Sequence, residues 1–255
     1  MQPQWDFYLL TLNENREPAS IALDFALTDS APDRRRPRLL CVRVPYLGGV
    51  QEKPAPPVEE SAALDQISKD LESALKMASG ALHVGRLSTN SFREFFYYAR
   101  TSDALERVVD GIARRHEPYK ILYQDKSDPE WKYFLEFLCP TEISLQWMKN
   151  RDTVGALGEA GDNLSTSRLI SHWLYFPTEI ARQAFLVEAG ESGFAVKERF
   201  PSQKGKDRFG VEITRTDVAE LDHIHGVAVD LMKAADRQGG DYDGWESPVV
   251  KLKAE

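Results

Sequence analysis

Along the first 45 residues apolar side chains are grouped in three short runs, WDFYLLTL, SIALDFAL and RLLCVRVPY, separated by turns rich in Pro, Asn and Asp. This pattern predicts three strands. The segment GGVQEKPAPP interrupts it. From Val58 to Ala78 the period changes: Leu64, Ile67, Leu71, Leu75 and Ala78 recur at three- and four-residue steps among Glu, Asp and Lys. That spacing predicts a helix with one buried stripe, closed by Gly80. ALHVGRLS and FREFFYYAR read as a hairpin turning at Thr89, Asn90 and Ser91. Ser102 is placed to cap a helix with Leu105, Val108, Val109 and Ile112 on one face, Pro118 lies past its end, and YKILYQD predicts another strand. With the first two strands set aside, the order is the split β-α-β-β-α-β arrangement of ferredoxin-like domains.

The stretch from DPEWKYFLEFLCP to GEAGDN is mostly helical, broken at Pro140, with Thr141 positioned to cap the second piece. After GDNLSTS the same order starts again. It runs through strand RLISHWLYF, a helix over 178–189, strand GFAVKERF, a Gly/Lys hairpin turn in SQKGKDRFG, strand RFGVEIT, a long helix over 216–238 and a last strand beginning at Trp245 in WESPVVKL. The expected fold class is therefore α+β, with two ferredoxin-like domains, the first carrying extra N-terminal strands. The boundary falls near residues 140 to 155, giving domains 1–145 and 150–255. No residue-level repeat relates the halves. A length of 255 residues agrees with two domains, since single domains cluster at about 100–150 residues.

Composition narrows the function classes. With 42% hydrophobic and 28% charged residues the chain reads as an ordinary globular protein, and no apolar run approaches the roughly 18 residues of a membrane span. The start, MQPQWDFYLLTLNENREP, shows no export signal, so the expected location is cytoplasmic. Cys41 and Cys139 stand apart in apolar contexts and read as reduced, buried small hydrophobes. The net charge is −8; residues 1–150 hold 19 basic and 22 acidic side chains, and residues 151–255 hold 13 and 18, so the parts carry −3 and −5. That balance repels a nucleic-acid backbone. The one basic run, DRRRPR at 33–38, reads as a solvated loop.

Candidate chemistry is sparse. In GGDYDGWES, an EF-hand register would place its first and twelfth ligands on Gly239 and Val250, so calcium is rejected; the stretch reads as a helix exit and a turn at Asp243 and Gly244. His223 and His225 in DHIH point about 200° apart on a helix and cannot share a metal. On that helix Val218, Leu221, Ile224, Ala228, Leu231, Met232 and Ala235 form the expected core stripe. His172 is a lone strand histidine without a nucleophile motif, and the Gly-bearing stretches match no phosphate loop. Asp125 and Asp128 lie in QDKSDPEWKYF, where Asp128 before Pro129 reads as a helix cap in preference to a catalytic acid pair. Arg86, Arg93 and Arg100 alternate through the aromatic hairpin, as exposed sheet arginines or as a small anion cluster.

The motifs EAGDN, ISHWL, GFAV and YDGWE together resemble the regulator of ribonuclease E activity B family over about residues 150–255. The first part resembles an uncharacterised bacterial domain family with VGR, REFFYYAR and DPEW motifs. The resemblance implies a ferredoxin-like fold and a bacterial cytoplasmic, non-catalytic protein. Such a protein binds an RNA-degrading endonuclease of the ribonuclease E type and lowers its activity, without cofactor or metal and without direct contact to nucleic acid or membrane. Two departures stand out: Trp173 replaces one of the family's paired histidines, and the chain ends VVKLKAE where the family has an acidic tail. The expected binding residues are His172, Trp173, Tyr242, Asp243 and Trp245, with Arg86 and Arg93 in the first part. Trp245 is expected to be buried, with YDGW beside His172. The alternative reading is an enzyme or small-ligand binder using an inter-domain groove near His172.

Overall fold

In the computed structural model, which describes residues 2–12, 17–201 and 209–251, the chain separates into two units, Met1–Ser144 and Leu145–Glu255. Both are mixed α+β, each built on one antiparallel sheet. The Gly/Lys turn at 202–208 and the last four residues lie outside the described residues.

The first unit runs β1 (Trp5–Leu12), β2 (Glu17–Asp24), β3 (Arg38–Pro45), α1 (Val58–Ser79), β4 (Leu82–Ser88), β5 (Phe92–Ala99), α2 (Leu105–Arg115) and β6 (Leu122–Ser127). Its six strands lie in the order β1-β2-β4-β5-β3-β6. One face packs Leu40, Val42, Phe95 and Tyr97 against Leu64, Ile67, Leu71 and Leu75 of α1 and Val109 and Ile112 of α2. The opposite face is covered by a wide helical turn of π type, Tyr133–Leu138, where Trp131 stacks on Tyr98 at 4.1 Å and Tyr133 meets Phe96 at 5.2 Å. With both faces covered, β5 is buried at nearly every position, which accounts for the unbroken run FFYYA.

Three local expectations change. Ala78 is exposed and Ser79 takes its place on the α1 stripe, one full turn after Leu75, with its hydroxyl donating to the Leu75 carbonyl at 2.9 Å. Gly80 does end the helix, at φ 63°, where a side chain is disfavoured. Ser102 gives α2 no side-chain cap, because the helix begins later, with Ala104 at its N-cap position. Cys41 is buried, and burial pushes its thiol up to about 12, whereas Cys139 is only half-buried.

The second unit takes most of α3 (Glu142–Glu159), then β7 (Arg168–Phe176), α4 (Glu179–Glu191), β8 (Ala195–Pro201), β9 (Phe209–Asp217), α5 (Leu221–Asp236) and β10 (Asp241–Glu246). Thr141 caps α3, accepting from Ser144 N at 3.2 Å, and Thr178 caps α4, accepting from Ala181 N at 3.1 Å. The sheet order is β10-β7-β9-β8. Because β9 continues to Asp217, α5 starts later than its sequence pattern suggests. Its buried stripe is Ile224, Val227, Ala228, Leu231, Ala234 and Ala235, while Val218 and Met232 are half-buried.

Candidate functional site

The last strand is not where the sequence places it. GGDYDGWES does not turn and then begin a strand at Trp245; Asp241–Glu246 is itself β10, paired with β7. Tyr242 faces Leu174, Gly244 faces Trp173 and Trp245 faces His172, so Asp243 is an extra residue in a β-bulge. The bulge has a direct consequence for side-chain direction. Tyr242 and Trp245 are three apart and would point to opposite faces of a regular strand, but the inserted residue turns both toward Leu174 and His172. Gly244, at φ 153°, supplies the backbone conformation that this requires.

His172 lies at the centre of the resulting cluster, with no exposed surface. Its Nδ1 sits 2.9 Å from the Tyr242 hydroxyl, and Phe194 meets its ring edge-on at 5.7 Å. Nε2 has no hydrogen-bond partner among the described residues. A buried unpaired N–H is rarer than a buried unpaired acceptor, which favours the neutral tautomer donating from Nδ1 to Tyr242. Burial pushes His172 down to about 4 against a smaller upward pull from the Asp217 charge, with the charge of Arg215 adding the least. Burial, with the charge of Asp243, raises the Tyr242 hydroxyl, which therefore stays neutral.

A second polar chain fixes Trp245. Its Nε1 donates to Asn150 Oδ1 at 2.9 Å, and Gln146 Nε2 donates to the same oxygen at 2.8 Å. Asn150 Nδ2 in turn donates to His225 Nδ1 at 3.2 Å. His223 is engaged elsewhere, 2.8 Å from Asp217 Oδ1, so the DHIH pair diverges as its helical spacing requires. Arg215 forks onto Asp217 at 2.7 and 3.1 Å and lies 4.3 Å over the Phe194 ring. Burial works to raise the Asp217 carboxyl but is outweighed by Arg215 and His223, which hold it below the usual carboxylate range. Beside this pair, Phe185, Phe194, Leu231, Lys233 and Arg237 line a cleft of about 310 Å³.

Of the expected residues, the fold brings His172, Tyr242 and Trp245 together. Trp173 is half-buried at the adjoining position of β7, and Asp243 is exposed in the bulge. Arg86 and Arg93 belong to the first unit and are not exposed sheet arginines. Arg93 is buried, bonded to Asp65 at 3.0 Å and Ser88 at 3.2 Å, and Arg86 is half-buried. Asp128 acts as a cap, accepting from Lys132 N and Tyr133 N at 3.0 Å each, and it also accepts from the Tyr98 hydroxyl at 2.6 Å. In the basic run, Arg35 and Arg36 both pair with Asp33, and Arg38 pairs with Asp125.

The sequence reading missed Asp162 and Arg168. They form a buried ion pair at 2.5 Å, and Asp162 also accepts from Val250 N at 2.7 Å. The EAGDN motif contains this aspartate, but only the fold shows that its partner is the first residue of β7.

The enclosed His172 sets a pH dependence. Above about pH 6.5 the histidine is neutral in both folded and unfolded chains, and its contribution to stability is fully present. As the pH falls from there toward 4, the unfolded chain takes up a proton that the folded state resists, so stability is lost through that window. The expected loss is roughly 3 kcal/mol. Hydrogen exchange of β7 and β9 amides between pH 7 and 4.5 measures it. The wild-type chain should lose protection more steeply than His172→Leu, and equal slopes would show that His172 titrates normally.

Fold and site define a two-unit α+β protein whose C-terminal motif residues build a core and enclose their only histidine. The chain belongs to a family of unknown function (DUF695), which matches residues 3–139, more than half of its length. Residues 147–247 match the family Regulator of ribonuclease activity B. No curated protein matches the chain. Among solved structures, a proposed glycine cleavage system transcriptional repressor aligns at 7% identity and a TM-score of 0.25, over 83% of this chain and 98% of its own. An unknown protein from Galdieria sulphuraria aligns at 11% identity and a TM-score of 0.22, over 83% and 99%. At these scores neither likeness carries an argument about fold or function.

Proposed function

We propose that the chain is a non-catalytic regulator that binds an RNA-degrading endonuclease of the ribonuclease E type through its C-terminal unit and lowers its activity. The observation that carries this reading is the match of residues 147–247 to a regulator of ribonuclease activity. The site geometry speaks against His172 as a general base. A general base must reach the proton it abstracts, whereas His172 is fully enclosed by its own unit and bonded to Tyr242. We also read both units as ferredoxin-like, divided near residue 145. In each, the four strands of the split β-α-β-β-α-β order lie as fourth, first, third and second across the sheet, with β1 and β2 added in the first unit.

The charge of −5 in residues 151–255 suits a basic protein surface and opposes phosphate backbones. The test is RNA cleavage by a ribonuclease E-type endonuclease with and without the purified full chain. Cleavage should slow, and the complex should weaken as salt rises to physiological ionic strength, where exposed charges are screened beyond about 8 Å. Unchanged cleavage together with no complex at low salt would remove this reading.

A further inference from the structure

We propose that the N-terminal unit binds a nucleoside 5′-monophosphate in a cavity between the start of β1 and the C-terminal end of α1. The cavity measures about 350 Å³, and Trp5, Glu72, Lys76, Gly80, His83 and Arg100 are among its lining residues. That volume falls within the range of small-molecule sites, about 300–1,000 Å³.

One wall is an aromatic row with an open end. Trp5, 42% exposed, meets the His83 ring at 4.8 Å and tilted by 45°, and His83 stacks at 4.7 Å and 26° on the fully buried Tyr97. The row is therefore anchored in the core and presents an indole outward. Burial, with the charge of Arg86, pushes His83 down to about 4, so the platform is uncharged at neutral pH. Stacking of a base on such a surface contributes about 1–3 kcal/mol.

The other side carries anion-binding groups. Arg36 Nε donates to the Gly80 carbonyl at 2.8 Å, and Arg100 lies across the same glycine, where an added Cβ would come within 3.2 Å of its Nε. Arg36 is paired with Asp33, but Arg100 and Lys76 pair with no carboxylate among the described residues. A guanidinium and an ammonium without acidic partners suit a phosphate. Of the two acids lining the cavity, Asp24 is occupied, accepting from Gln4 N at 2.7 Å and Ala26 N at 3.1 Å. Glu72, 55% exposed, stands 4.0 Å from His83 Nδ1 and is open to ribose hydroxyls. A platform for a ring, a carboxylate for hydroxyls and two cations for a phosphate match the three parts of a nucleotide; a simple anion would use only the last.

Isothermal titration of the full chain with AMP, CMP, GMP and UMP, and with adenosine and inorganic phosphate as fragments, tests the site. At least one nucleotide should bind one to one with Kd below about 1 mM, and each fragment about tenfold more weakly or worse. Trp5→Ala and Arg100→Gln should each weaken binding at least about fivefold. If Trp5→Ala also lowers the thermal midpoint, Arg100→Gln, which changes an exposed side chain, decides. The proposal is overturned if no nucleotide binds, if a fragment binds as tightly as the nucleotide, or if binding survives Arg100→Gln unchanged.

Discussion

An Asp162→Ala chain is expected to lose about 3–5 kcal/mol of stability in its C-terminal unit, because the substitution strands a buried guanidinium. The side chains of Arg168 and Asp162 are 3% and 0% exposed. Besides Asp162, Arg168 donates to the Thr166 carbonyl at 2.9 Å, to the Pro248 carbonyl at 3.4 Å and to the Asn163 carbonyl. Burial works to raise the Asp162 carboxyl, yet the bonds from Arg168 and Val250 N hold it below the usual range. The pair ties the segment before β7 to the chain after β10, where Asn163 N also donates to the Val250 carbonyl at 2.8 Å. Urea unfolding of wild type, Asp162→Ala and Asp162→Ala/Arg168→Met measures the effect. The double variant should recover much of the loss, since removing both charges also removes the stranded one. A single variant as stable as wild type would show that Arg168 finds water or another partner.

In the first unit, Trp131→Ala should cost about 3–5 kcal/mol, the range for truncating a large buried aromatic. Trp131 is 1% exposed, lies 13° from parallel with Tyr98, meets Phe134 edge-on at 5.8 Å and donates from Nε1 to the Arg36 carbonyl at 3.0 Å. Its backbone adds a distinguishing feature, because φ is 54°, a left-handed conformation that costs a non-glycine residue of order 1–3 kcal/mol. Trp131→Gly relieves that strain while creating the same cavity. Glycine should therefore be no more destabilising than alanine here, reversing the usual order in ordered backbone. Denaturant unfolding of the two variants side by side gives the answer; glycine worse than alanine by about 1 kcal/mol would mean the left-handed turn relaxes when the indole is removed.

Element type was open to reading from sequence wherever local periodicity alone determines it. The Leu64–Leu75 stripe, the cap at Thr178, the glycine stop at Gly80 and the Thr89–Ser91 turn depend on neighbours within a few residues, so the sequence by itself determined them. The motifs YDGW and ISHWL also pointed to the family that residues 147–247 match. Only the tertiary structure decided what those residues do. The bulge at Asp243 depends on pairing with a strand some seventy residues earlier, and without that register Tyr242 and Trp245 could not be assigned to one face. Likewise, nothing near Asp162 or His172 in sequence reveals that one receives a buried arginine and the other an enclosing tyrosine. Arg93 shows the same limit: alternation in a hairpin suggested solvent, but α1 brings Asp65 over it. Burial and partnership are properties of packed faces, and a face exists only once elements distant in sequence have met.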